Sequence, residues 1–185
     1  APAAPPPGPA PAADGYLEEE LAPPGVGTHQ RLLALLRSSG VEFATMGPHA
    51  ACRTSEDSVK VRVAGGWTDV TLHSGAKAML LHTPAGRWLL AVMPADCKLS
   101  WKKVRALHGK GTRMATEDEV MTVAGCIPGA VPPFASAFPA PTECLADSSL
   151  PAIINFNCGL RTRSVRMTRA DFEQVQKPTI VDIVD

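Results

Sequence analysis

Lys77 stands in the run SGAKAMLL, one cation among Ala, Met and Leu. A lysine flanked by burying residues must carry its ammonium to solvent or to an anion, so it reads either as a snorkelling side chain or as a point charge for a phosphate or polarised carbonyl. Gly129-Ala130-Val131-Pro132-Pro133-Phe134 is a stiff loop in which the glycine lets backbone approach a ligand and the prolines fix the turn. A purely structural surface loop is the competing reading. Asn157-Cys158-Gly159 reads first as a strand-connecting turn and second as an amide aimed at a ligand.

Charge adds a second kind of chemistry. Lys98, Lys102, Lys103, Arg105, Lys110 and Arg113 follow one another without an intervening acid, and Arg161, Arg163, Arg166 and Arg169 do the same. Most such runs are solvated faces; on one side of the molecule they would form a phosphate-binding surface. The chain as a whole is neutral, with 18 Lys plus Arg against 18 Asp plus Glu, so any affinity for nucleic acid must come from such a patch. Its five histidines are scattered and support no imidazole base. Cys52, Cys97, Cys126, Cys144 and Cys158 are odd in number, widely spaced and free of C-x-x-C pairs, which fits reduced thiols in a cytoplasmic protein and gives a metal site no ligand spacing. No nucleophile elbow, phosphate loop or dinucleotide fingerprint is present.

The elements that must hold these residues are legible from pattern. At 185 residues with 45% hydrophobic and 19% charged residues, the chain is one soluble domain in size and composition, and it has no apolar run near the ~18 residues needed to cross a bilayer. Residues 1–13 are only Ala, Pro and Gly and read as a disordered arm; with the acidic and Pro-rich stretch up to 27 they form an arm and linker before a domain at 28–185. The arm lacks the basic start and apolar stretch of a signal peptide, so secretion is not expected. Thr28 is expected to cap a Leu-rich helix ending at Gly40. A strand at 41–46, a helix from Thr54 or Ser55, and a hairpin of 76–82 with 88–93 around Thr83-Pro84-Ala85-Gly86-Arg87 follow. Ser100 opens a helix to Leu107, and Thr116 with Glu119 forms a capping box. The five prolines from Cys126 to Pro141 rule out regular helix or a central strand there. Strands at 153–156, 164–167 and 179–183 and a helix after Thr168 complete an α+β domain, since helices and strands mix without strict alternation.

Taken in chain order, these residues resemble the family of YbaK and the prolyl-tRNA synthetase-associated domain, which hydrolyses amino acids wrongly attached to tRNA. The resemblance covers residues 28–185. It rests on His49 followed by Arg53-Thr54-Ser55-Glu56, on SGAKAMLL, on AVMPAD with the basic helix after it, on PGAVPPF and on NCGLRTRSVRM. It implies a mixed, barrel-like sheet core with surrounding helices. It implies Lys77 and Gly129 as the residues tied to activity, with Ala130, Val131, Pro132, Pro133, Phe134, His49, Thr54, Asn157 and Gly159 at the aminoacyl group. Lys98, Lys102, Lys103, Arg161 and Arg163 are the expected tRNA contacts.

The family's loop usually has serine where Pro132 stands and a second glycine where Ala130 stands, so substrate choice here is its own question. The resemblance implies a trans-acting deacylase that needs no metal or cofactor and acts on the acceptor end of a tRNA, with alanine or cysteine on a proline tRNA as the expected error. A synthetase is a further expected partner, and a membrane is not. The alternative is a non-catalytic tRNA- or synthetase-binding module of the same fold.

Overall fold

Several helix starts in this chain are set by side chains that catch free backbone N–H groups. Thr54 accepts from Asp57 N while the Asp57 carboxylate accepts from Thr54 N, both at 3.1 Å, and α3 (Ser55–Ala64) begins there. Thr116 and Glu119 make the same reciprocal pair at the start of α5 (Glu117–Val123), and Thr168 accepts from Asp171 N at the start of α6 (Arg169–Gln176). The computed structural model in which these are seen describes residues 15–185. The Ala/Pro/Gly arm at 1–13 lies outside the described residues.

The remaining elements are α1 (Glu18–Leu21), α2 (Val26–Ser38), β1 (Phe43–Met46), β2 (Ala76–His82), β3 (Trp88–Pro94), α4 (Trp101–His108), β4 (Arg113–Met114), β5 (Glu143–Asp147), β6 (Ile153–Asn157), β7 (Ser164–Thr168) and β8 (Thr179–Val181). The expected hairpin is β2 against β3, antiparallel from Ala76↔Pro94 to His82↔Trp88. Ser100 stands before α4 as expected but makes no side-chain cap; its N–H goes to Ile183 O at 2.7 Å.

Two sheets form, with strand orders β1-β7-β6 and β4-β2-β3-β5-β8. The first is antiparallel; in the second, β5 runs parallel to both β3 and β8. Among the described residues a single bridge, Gly75↔Asn155, joins them. The mixed α+β architecture is therefore as expected, but the barrel-like expectation is corrected: among the described residues the sheets stay open at β1, β4 and β8. Strand β3 explains its unbroken apolar sequence, because Leu90 and Val92 face one core and Leu89, Ala91 and Met93 face another. The first core centres on Phe134, Phe156 and Phe172, each at most 2% exposed, whose burial contributes about 2–3 kcal/mol apiece.

The linker expectation for the residues just before 28 is also corrected. Helix α2 starts at Val26, two residues ahead of Thr28, and Thr28 sends its hydroxyl to Ala124 O at 2.7 Å instead of capping. Tyr16, Leu17 and Glu20 are buried, and Glu20 is held from 142 or more residues away by Thr162 and Arg163. The reason is a long-range ion pair, which an acidic run beside prolines does not announce.

Candidate active site

A cavity of about 320 Å³ opens between α3, the start of β2, the end of β6 and the glycine loop. Five of the expected residues share its lining: Thr54, Lys77, Gly129, Val131 and Asn157. Its charged lining residues are Arg53, Arg62 and Lys77, with no Asp or Glu among them. The cavity is thus electropositive in a chain of zero net charge.

Lys77 lies one residue into β2, on the strand face shared with Met79 and Leu81. Its ammonium donates to Cys97 O at 2.6 Å. Burial pushes its pKa below the ordinary lysine value, and nearby Cys97 and Asp96 push it back up. A half-buried ammonium with one carbonyl partner keeps two N–H donors for a ligand.

The loop facing Lys77 is held from outside through its carbonyls. Ile127 O accepts from Ala130 N, Pro128 O from the Arg161 guanidinium at 2.5 Å and 3.1 Å, Gly129 O from Asn157 Nδ2 at 2.8 Å, and Ala130 O from Gly159 N at 2.9 Å. The Gly129 and Val131 N–H groups donate to no protein acceptor among the described residues. Gly129 has φ +84°, in the left-handed region, and a Cβ there would sit 3.3 Å from Arg161 Nε.

Other expected residues are placed elsewhere. Ala130, Pro132, Pro133 and Phe134 are buried outside the lining, Phe134 edge-on to Phe172 at 5.3 Å between ring centres, so they shape the loop from behind. Gly159 packs against α2, where a Cβ would meet His29 N at 2.9 Å. Its N–H braces Ala130 O from outside the lining. His49 is outside the lining too: Nδ1 lies 2.8 Å from Ala50 O, which assigns the proton to Nδ1, and Nε2 accepts from Ser164 Oγ at 2.8 Å. Burial lowers its pKa.

The basic residues divide. Lys98 and Lys102 are exposed, whereas Lys103 pairs with Asp182 at 2.7 Å and reaches Val184 O. Arg161 clamps Pro128 O. Arg163 is turned inward onto Glu20 at 2.9 Å with its guanidinium over the Tyr16 ring, an ion pair within the fold. Folding also gathers His73, Asp96 and Cys97 at the surface within 4.8 Å, a grouping that sequence spacing does not show.

Sequence reasoning missed Arg62 and Asn155. Arg62 is 3% exposed and donates to Ser164 Oγ at 2.9 Å, Asn155 Oδ1 at 2.5 Å and Asn157 Oδ1 at 2.8 Å. Burial pushes its pKa down to about 10, so it stays a cation at neutral pH. The available signal was the polar stripe Ser55, Ser58, Arg62 at i, i+3, i+7, one face of a helix.

The profile of the aminoacyl-tRNA editing domain matches residues 49–175, which include every cavity-lining residue. A protein of Escherichia coli K12 described as "Multifunctional Ser/Thr-tRNA deacylase ProXp-y" is 31% identical over 163 residues, covering 84% of this chain and 92% of its own length; its counterpart in Escherichia coli O157:H7 matches equally. Among solved structures, the hypothetical protein APE2540 aligns with a TM-score of 0.74 at 18% identity, over 84% of this chain and 99% of its own. A candidate trans-editing enzyme for prolyl tRNA synthetase aligns at 0.71 and 18%, over 85% and 97%. The two structures share the fold, and the profile match, spanning most of the chain, together with the sequence relative, places it in a family: the chain belongs to the aminoacyl-tRNA editing domain family.

Proposed function

We propose that the cavity hydrolyses the ester of mischarged tRNA, the chain acting in trans on the acceptor end. The observation that carries this reading is the meeting of Lys77 with the unpaired Gly129 and Val131 N–H groups across one electropositive cavity. An aminoacyl ester is already activated, so hydrolysis needs positioning, water and charge stabilisation more than a protein nucleophile. Water adds to the ester carbonyl, the bond to the ribose oxygen breaks, and free amino acid and an unacylated 3′ end leave. Lys77 holds the terminal phosphate or the carbonyl oxygen as a point charge. The loop N–H groups hold the aminoacyl end. The lining residues include no imidazole or carboxylate, and the ribose hydroxyl of the substrate orients the water. This route uses no metal and no cofactor.

For the amino acid, the lining favours a small polar side chain. Thr54, Ser55 and Ser58 offer hydroxyls and Asn157 keeps a second amide N–H, which suits serine or threonine better than the alanine or cysteine expected from sequence. The Escherichia coli relative's description, a Ser/Thr-tRNA deacylase, supports the same choice. Association with a synthetase is a further proposal, supported by the description of one structural neighbour. A cytoplasmic location fits a tRNA substrate, and among the described residues no helix is long and apolar enough to cross a membrane. The test is a panel of tRNAs charged with serine, threonine, alanine and cysteine, assayed for release of each amino acid. Release of serine or threonine above the spontaneous rate is the expected result; binding without any release would favour the non-catalytic module.

A further inference from the structure

We propose that Arg62 is a positioning residue that sets the glycine loop against the Lys77 strand, acting through Asn157 on one side and Asn155 on the other. The inference rests on the deacylase reading and names a residue that the mechanism above leaves unused.

A guanidinium only donates, so both asparagines must turn their Oδ1 atoms toward Arg62, as they do at 2.5 Å and 2.8 Å. Both Nδ2 groups are thereby aimed away from it. Asn157 Nδ2 donates to Gly129 O at 2.8 Å, and Asn155 Nδ2 donates to Ser74 Oγ at 2.8 Å and Ser74 O at 3.1 Å. Ser74 precedes Gly75, the residue that bridges the two sheets, and Lys77 follows two residues later. One buried fork therefore reaches both halves of the site.

The geometry calls for arginine in particular. Asn155 and Asn157 are alternate residues of β6 and so share a strand face, where a planar fork can take both at once. A lysine has a single nitrogen at the end of its stem. Among the described residues Arg62 hydrogen-bonds to no carboxylate, and a buried charge left with neutral partners is costly. Rigid placement of two carbonyls across a catalytic cavity is the return that the arrangement offers.

The test is a double-mutant cycle on single-turnover hydrolysis with wild type, Arg62→Lys, Asn157→Asp and the double variant, each checked by thermal melt. Asn157→Asp keeps an oxygen for Arg62 and removes the donor to Gly129 O. Each single change should lower the maximal rate about tenfold or more, the scale of a small misplacement, with half-saturation within about twofold. The double variant should be no slower than the slower single one, because both act through one relay. Losses that multiply, or Arg62→Lys at the wild-type rate, would overturn the proposal.

A second readout does not depend on turnover. Amide hydrogen exchange should accelerate together at 74–77 and at Ala130, whose N–H is bonded to Ile127 O, in Arg62→Lys, and at Ala130 alone in Asn157→Asp. Exchange that changes only within α3 would overturn the relay. If Arg62→Lys does not fold, the Asn157→Asp arm decides. A wild type that releases no amino acid from any tRNA of the panel would sink the deacylase reading, and the exchange data would still decide the relay.

Discussion

Arg62 and Arg163 are both largely buried guanidinium groups, yet they meet opposite surroundings. Arg163 faces the Glu20 carboxylate at 2.9 Å on both oxygens, stacks on Tyr16 and reaches Gly15 O, so its charge is cancelled where it lies. Arg62 meets only neutral oxygens and lies against a cavity whose other charged lining residues, Arg53 and Lys77, are also cations. A cancelled charge fastens the chain, here the segment before α2 to the turn before β7. An uncancelled one sets up a positive field where a substrate phosphate or a developing oxyanion would sit.

The contrast between the two arginines breaks most sharply at Glu20. Glu20→Ala leaves Arg163 buried without a counter-charge and should cost about 3 kcal/mol of stability, the scale for removing one partner of a buried pair, while the folded protein keeps its turnover. Denaturant melts with single-turnover assays on the same samples check this. The pair also carries a pH dependence. Burial alone would raise the Glu20 pKa, but hydrogen bonds from Arg163, Thr162 and Leu17 N outweigh it and hold the carboxyl below its ordinary 4.5. A depressed acid stabilises above its unfolded pKa, so this contribution is full at neutral pH and is lost as pH falls below about 4.5 and through the folded value. Tyr16 fluorescence and melting temperature should follow that loss in wild type and not in Glu20→Ala.

On the uncancelled side, Lys77→Ala should lower turnover by about 10² or more with the fold intact, the scale for one electrostatic stabiliser. A folded variant with near-normal activity would reduce Lys77 to a snorkelling side chain. Gly129→Ala should cost about 1–2 kcal/mol, since alanine is strained at φ +84° and its Cβ meets Arg161. Turnover of the folded fraction should fall as well, because the loop N–H groups move. A destabilised protein whose folded fraction cleaves at the wild-type rate would make Gly129 a turn residue only.

How much of this the sequence disclosed follows from how local each cause is. The hairpin, the Thr54, Thr116 and Thr168 caps and the turn at Asn157-Cys158-Gly159 depend on neighbours a few residues apart, and they are legible. Strand β5 is not, because it follows the five-proline loop and pairs in parallel with β3 more than 50 residues earlier. Nor is the division into two sheets, which turns on one bridge at Gly75. Lys77, Thr54, Val131, Gly129 and Asn157 do share one cavity, but the resemblance singled them out, and composition alone could not. The hold of the Asn157 amide on Gly129 O, across 28 residues of chain, is not legible either. Arg62 escaped notice because a lone arginine between valines reads as a solvated residue until the strand opposite it is known to present two asparagines.

The smallest effect concerns the exposed cations. Lys98→Glu with Lys102→Glu should flatten the salt dependence of tRNA binding, by about 0.7–0.9 in log–log slope for each phosphate that is no longer neutralised. Lys103 is the internal comparison, since its ammonium is taken by Asp182. An unchanged slope would mean that α4 faces away from the bound tRNA.

The most direct test is to locate the substrate's acyl end on the protein. A non-hydrolysable adenosine carrying serine through a 3′ amide, titrated into isotope-labelled protein, reports every perturbed backbone amide. The expected result is a set of shifts at 76–78, 129–131 and 155–157, with the Glu20–Arg163 region undisturbed. Shifts centred away from the cavity, with Lys77 and Gly129 unchanged, would contradict the placement of the reaction between them.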